Sequence, residues 1–147
     1  MDKIDIDLLG FLQEDARMTI SELSKRLALS RPSVTERLHR LQEQGIIEGF
    51  SARVSPAKIG RDTILIIQIS ELKVSVNEFE KMIVGEVDVI ECHRVTGHIG
   101  YFIKAAVSGM EGLRLLVDRL MPFGTIYTSI VLTSPVLFRP ILPELET

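Results

Sequence analysis

SRPSVTERLHRLQEQG, residues 30–45, reads as one complete helix with both of its ends specified. Ser30 is a strong N-cap, because its hydroxyl can accept an orphan N–H of the first turn. Pro32 falls in that first turn, where a missing N–H costs nothing. Gly45 is the residue that commonly closes a helix, since it enters the left-handed region freely. Val34, Leu38 and Leu41 recur at i, i+4 and i+7 and form a buried stripe. The other side carries Pro32, Ser33, Glu36, His39, Arg40 and Glu43, with Arg31, Thr35 and Arg37 on the flanks. This hydroxyl-rich, cationic helix lies in a chain whose formal net charge is -3.

Upstream, two shorter helices are expected. Ile4, Leu8, Leu9, Phe11 and Leu12 recur at helical spacing before residues 14–17 break the stripe. Thr19 and Glu22 form a Thr-x-x-Glu capping box, which opens a helix with Ile20, Leu23 and Leu27 inward. Residues 17–45 hold six Lys/Arg (Arg17, Lys25, Arg26, Arg31, Arg37, Arg40) against three acids, whereas residues 61–147 hold eight against eleven. Such asymmetry implies that the two halves face different partners.

Downstream the period changes. Residues 46–54 alternate loosely, as a strand or short hairpin would, and residues 55–60 read as a turn or brief helical connector. The domain boundary falls here: residues 1–46 form the first domain, 47–61 a hinge strand and linker, and 62–147 the second domain. The second half reads strand, helix, strand, strand, helix, strand. Residues 63–70 are β-rich; Ser75 and Glu78 suggest a capping box, with Val76, Phe79, Met82 and Ile83 inward. Strands follow near 87–95 and 101–107. Ser108 caps a helix with Met110, Leu113, Val117 and Leu120 inward, and 125–133 is the last strand. The order is that of an α+β, ferredoxin-like split βαβ domain.

One set of alternate strand positions is nearly all apolar: Leu65/Ile67/Ile69, Val87/Val89, Tyr101/Ile103/Ala105/Val107 and Ile126/Ile130/Leu132. It is expected to pack under the two helices. The opposite set, Ile64, Ile66, Gln68, Ile90, Cys92, Phe102, Lys104, Ala106, Tyr127 and Val131, is mixed rather than polar. Two helices cover only one face of a four-stranded sheet, so the second face needs a partner, and a twin related by a two-fold axis is the simplest.

In a helix-turn-helix the second helix enters the major groove N-terminus first. Short Ser33 and Thr35 let the backbone approach, arginine can fork onto guanine or phosphate, and Glu36 can accept from a cytosine amine. The candidate DNA contacts are therefore Arg31, Pro32, Ser33, Thr35, Glu36, Arg37, His39 and Arg40. Lys25 and Arg26, at the end of the preceding helix, would lie across the phosphates, and residues 46–54 fit a wing. A solvated charged face would equally account for Arg37, Arg40 and Glu43.

The residues IDIDLLGFLQEDAR (4–17), SELSKRLALSRPSVTERL (21–38), LQEQGIIEGF (41–50) and ECHRVTG (91–97), together with the segment order, resemble the Lrp/AsnC family of feast/famine transcriptional regulators across nearly the whole chain. The resemblance implies an N-terminal winged helix-turn-helix, a hinge strand and a C-terminal ferredoxin-like domain that dimerises through its sheet and often assembles into octamers. It also implies a regulator that bends or wraps DNA. Family members that sense amino acids usually carry an acidic loop after Val-Thr-Gly, where a carboxylate holds the effector's ammonium. Here the loop is Gly97, His98, Ile99, Gly100 and Tyr101, and neither His98 nor Gly100 can play that part. Either the effector differs or none is bound; if a pocket exists, Thr96 to Tyr101 is its expected wall.

Other chemistry lacks support in the sequence. Cys92 and His93 would point to opposite faces of a strand and could not chelate one ion together. Residues 97–100 sit between two strands, whereas a phosphate loop opens a helix. No reactive-nucleophile signature accompanies the serines and histidines, so neither enzyme nor cofactor is expected. One cysteine, no basic leader and no long apolar run point to the cytoplasm. The sequence reading is thus a sequence-specific DNA-binding regulator acting as a homodimer or higher oligomer, up to an octamer, and open to modulation by a small molecule such as an amino acid if an effector is bound. The alternatives are an architectural DNA-compacting protein and a small-molecule sensor that does not bind DNA.

Overall fold

The computed structural model describes residues 1–144. The chain divides into two compact units: Met1–Arg53 together with the segment from Val136 onward, and Val54–Pro135.

The first unit holds α1 (Lys3–Glu14), α2 (Ile20–Leu27) and α3 (Arg31–Glu43). Each helix starts at a side-chain cap. Asp2 and Asp5 form a reciprocal box on α1, Thr19 and Glu22 do so on α2, and the Ser30 hydroxyl accepts from the Ser33 N–H on α3. The left-handed turn between α2 and α3 falls on Ala28, at φ 53°. α3 ends in a Schellman arrangement: with Gly45 at φ 69°, its N–H donates to the Gln42 carbonyl at 2.9 Å and the Ile46 N–H to the Leu41 carbonyl at 2.9 Å. Leu8, Leu9, Leu12, Leu23, Val34 and Leu41 form the core between the three helices.

Among the described residues no strand is assigned over 46–54, the stretch expected to supply the wing and hinge strand. Residues 48–55 pair with no strand among the described residues, and a 3-10 turn, Ala57–Ile59, follows. A strand needs a neighbour for its N–H and C=O groups, and none of the described strands pairs with this stretch. The segment from Val136 also departs from the sequence reading, which ran the second domain to residue 147. It joins the first unit, where the Gln13 side-chain amide donates to the Ile141 carbonyl at 2.8 Å and accepts from the Ile141 N–H at 2.9 Å, and Arg53 lies 4.2 Å over the Phe138 ring.

The second unit is β1 (Thr63–Ser70), α4 (Val76–Val84), β2 (Val89–Arg94), β3 (Ile99–Val107), α5 (Gly109–Leu120), a 3-10 turn (Met121–Phe123) and β4 (Thr125–Ile130). The strands form one antiparallel sheet in the order β2-β3-β1-β4, as the split βαβ reading requires. Leu65, Ile67, Ile69, Tyr101, Ile103, Ala105 and Val107 pack against Phe79 and Ile83 of α4 and Leu116 and Leu120 of α5.

Several expected positions move. A register shift between Val89 and Glu91 inserts a residue and inverts the alternation beyond it, so Cys92 sits opposite Ile103 on the helix side rather than on the open face. His93 falls opposite Phe102 on the other side, which keeps the two apart. Val87 lies before the strand and Leu132 after β4, and both are exposed. On α5 the inward residues are Leu113, Leu116 and Leu120, with Val117 half-buried beside them, while Met110, in the first turn, is exposed. Ser108 makes no cap bond; the Gly109 N–H donates instead to the Asp62 carboxylate at 3.0 Å.

Candidate nucleic-acid interface

α3 is held to α1 and α2 by Val34 and Leu41, both buried, and by the half-buried Leu38. Its opposite face is therefore set by periodicity: Pro32, Glu36, His39 and Glu43 are exposed there. Arg31 lies at the N-terminal end and donates to the Ser21 hydroxyl at 3.0 Å. Ser33 shares a 2.8 Å hydroxyl contact with Ser30, and the Thr35 hydroxyl donates to the Arg31 carbonyl at 3.0 Å. Lys25 and Arg26 are exposed at the end of α2, with the Arg26 guanidinium 5.1 Å over the Phe11 ring.

Two of the candidate contacts are committed elsewhere. The Arg37 Nη1 donates to both carboxylate oxygens of Asp2, at 2.9 and 2.8 Å, and to Asp5 Oδ1 at 2.7 Å. The Arg40 Nη2 donates to the two Asp5 oxygens at 3.0 and 2.9 Å. Asp5 is the one buried charged residue among those described, at 2% exposure. Sequence reasoning missed it because Asp-x-x-Asp lacks the Ser/Thr that marks the usual box, and because its partners lie 32 and 35 residues away.

Four carboxylates, Asp2, Glu22, Asp62 and Glu91, give the protein an acid limb. The Asp5 N–H and then the Arg37 guanidinium hold Asp2 below its ordinary value of 3.8. The Thr19 N–H, the Gly109 N–H and the Lys104 ammonium do likewise for Glu22, Asp62 and Glu91. A carboxylate whose folded value is depressed contributes stability that is complete above its unfolded value and is lost as pH falls through the folded one. The unfolding temperature is thus expected to hold steady from neutral pH to about 5 and to drop below about 4. A rise in thermal stability between about pH 4 and 3 would contradict these pairings.

The proposed effector wall is divided by the fold. Thr96, Gly97 and His98 are exposed at the tip of the β2–β3 hairpin, where Gly97 adopts φ 98°, and Ile99 and Gly100 are half-buried at its base. Tyr101 points the other way, into the helix-side core. Its ring lies 4.6 Å from that of Phe79, and its hydroxyl donates to Glu80 Oε1 at 2.7 Å. Burial, and then the Glu80 carboxylate, push that hydroxyl up to about 12. Strand alternation alone separates Tyr101 from its neighbour Gly100.

The open face of the sheet carries Ile64, Ile66, Phe102 and Val131, all half-buried, with Tyr127 exposed. Glu91 bridges Lys104 at 3.0 Å on the same side. The first unit holds a concavity of about 720 Å³ lined by Leu9, Leu12, Ile46, Phe50, Phe138 and Ile141. The second holds one of about 490 Å³ along α5 and β4, lined by Leu113, Val117, Met121 and Ile126. No helix among the described residues is long and apolar enough to cross a membrane.

A three-helix unit with a tight α2–α3 turn and an outward polar α3, joined to a split βαβ domain, defines a helix-turn-helix DNA-binding regulator. The description "Winged helix-turn-helix DNA-binding" matches residues 1–48, and "Lrp/AsnC ligand binding domain" matches residues 64–141. The chain belongs to the Lrp/AsnC family of transcriptional regulators. It is 34% identical to the HTH-type transcriptional regulator YezC of Bacillus subtilis, over 91% of this chain and 95% of that one. It is also 34% identical to the leucine-responsive regulatory protein of Escherichia coli K12, over 82% and 76% of the two chains. Among solved structures, a transcriptional regulator of Neisseria meningitidis in complex with L-Met superimposes with a TM-score of 0.90 at 28% identity, covering 96% of each chain.

Proposed function

We propose that two copies of the chain, paired through the open faces of their sheets, set two α3 helices into successive major-groove turns of one duplex. The observation that carries this reading is the exposed face of α3, where Pro32, Glu36 and His39 stand clear of the core with Arg31, Ser33 and Thr35 beside them. Arg31 and the hydroxyls reach phosphates and base edges at the helix N-terminus, while Glu36 and His39 read base edges further along. Lys25 and Arg26 lie against the backbone. Arg37 and Arg40 support the helix from behind through Asp2 and Asp5.

The apolar open sheet face supports the dimer, since a lone chain would leave Phe102, Ile64 and Ile66 facing water. Dimers assemble further, up to a tetramer of dimers. The second unit takes a small effector at the β2–β3 hairpin, with an amino acid such as L-methionine as the first to be tried. A thermal-shift series with L-methionine and L-leucine checks this, because a ligand of the folded state raises its apparent stability. The protein works as a regulator rather than an enzyme, in the cytoplasm.

The test of the DNA reading is a competition gel shift with a duplex recovered from a randomised pool. Glu36→Ala combined with His39→Ala is expected to reduce the preference for that duplex over a scrambled one by roughly tenfold or more. Equal discrimination by the double variant would contradict the assignment, and shallow discrimination by the unaltered protein would favour an architectural role.

A further inference from the structure

We propose that Asp5 is a positioning residue for DNA recognition: together with Asp2 it grips Arg37 and Arg40, fixes the rotation of α3 about its axis and withholds both guanidiniums from the phosphate backbone. The inference rests on the reading of α3 as the helix that contacts DNA.

Apolar packing alone holds α3 loosely in one respect. Val34, Leu38 and Leu41 bury a stripe, but burial is non-directional and tolerates small rotations and slides of the helix over Leu8, Leu12 and Leu23. Charge-assisted hydrogen bonds do not. Asp5 receives Arg37 at 2.7 Å and Arg40 at 2.9 Å, two points one turn apart on α3, while the Asp2 N–H donates to Asp5 at 3.2 Å. Asp2 in turn accepts the Asp5 N–H at 2.9 Å and Arg37 at 2.8 Å. The two carboxylates that start α1 are thus the ones that hold α3.

Base-edge readout requires side chains placed to fractions of an ångström, whereas phosphate attraction does not. Loosening the grip therefore costs discrimination before it costs affinity. The grip also changes the charge available to DNA. Residues 17–45 show an excess of cations, but Arg37 and Arg40 are matched by two aspartates outside that stretch. Arg31, Lys25, Arg26 and Arg17 remain for the backbone.

The experiment measures binding of the full chain to the pool-selected duplex and to its scrambled counterpart across a salt series. Asp5→Asn is expected to lower the preference for the selected duplex by roughly tenfold or more. Its salt slope should steepen, by up to about 0.9 for each released arginine that reaches a phosphate. Arg40→Gln is expected to lose preference with the salt slope unchanged, since that cation is already matched. Asp5→Asn with wild-type preference and slope overturns the proposal, and so does flattening of the slope by about 0.9 in Arg40→Gln. Arg40 is nearly half exposed and its substitution spares the core, so this second arm decides the matter if Asp5→Asn fails to fold. Failure of the unaltered protein to bind either duplex overturns the DNA reading beneath, a result separate from the two above.

Discussion

Phe102→Asp is expected to yield a folded single chain that has lost most of its affinity for DNA. Phe102 lies on the open side of the sheet, between Gln68 of β1 and His93 of β2, and is half-buried within one chain. In the isolated chain an aspartate there reaches water, so folding is little affected. In a sheet-to-sheet dimer the carboxylate is pressed between apolar surfaces, and desolvating an unpaired charge costs several kcal/mol. An interface of ordinary size buries about 800 Å² per partner and cannot absorb that loss at micromolar concentration. Separating the chains also separates the two α3 helices, and the gain from binding two half-sites at once, often 100-fold or more, disappears with it. Light scattering should report the mass of one chain, and the gel shift should weaken by about two orders of magnitude. Retention of the native mass by Phe102→Asp would contradict the sheet-face assignment.

Phe79→Ala is expected to cost more stability than any other single truncation in the second unit. Phe79 is fully buried under α4, with the Tyr101 ring at 4.6 Å and the Phe123 ring at 6.4 Å. Truncating a buried phenylalanine removes about 3–5 kcal/mol, counting both the lost transfer energy and the cavity left behind. Small domains have about 5–15 kcal/mol in total. The unfolding temperature of the second unit should fall on the order of 15 °C or more. The hydrogen bond from Tyr101 to Glu80 depends on the same wall, so the substitution also frees the tyrosine ring. Calorimetry showing a drop of only a few degrees would mean that the core is not centred on this contact.

Most of the fold was legible because its signals are local. The Thr19–Glu22 box and the caps at Ser30 and Ser75 begin helices where the side chains say they should, and β1 spans the residues that its composition marks. Gly45 ends α3 through the geometry that its missing Cβ permits. What escaped the sequence depends on partners far along the chain. The bulge beside Val89 arises from the match between β2 and β3, and no alternation pattern announces it. The return of the tail rests on Gln13 meeting Ile141, 128 residues apart. Residues 46–54 carry the composition of a strand, yet none of the described strands pairs with them.

The candidate site was legible to a similar extent. Helical periodicity separated the outward residues of α3 from the inward ones correctly at Pro32, Glu36, His39 and Val34. It could not show that Arg37 and Arg40 turn back onto α1, because that depends on where Asp2 and Asp5 end up in three dimensions. Strand alternation did place Tyr101 on the helix side of β3, where it lies, so the run from Thr96 to Tyr101 could not form one wall.

Methylation protection of guanine N7 tests most directly whether two copies of α3 lie in the major groove of one duplex. The expected result is two protected patches on one face of the duplex, centred about 34 Å apart or an integer multiple of that distance, lost together in Phe102→Asp. Shifted DNA with every guanine N7 still reactive, or with a single isolated patch, would contradict it.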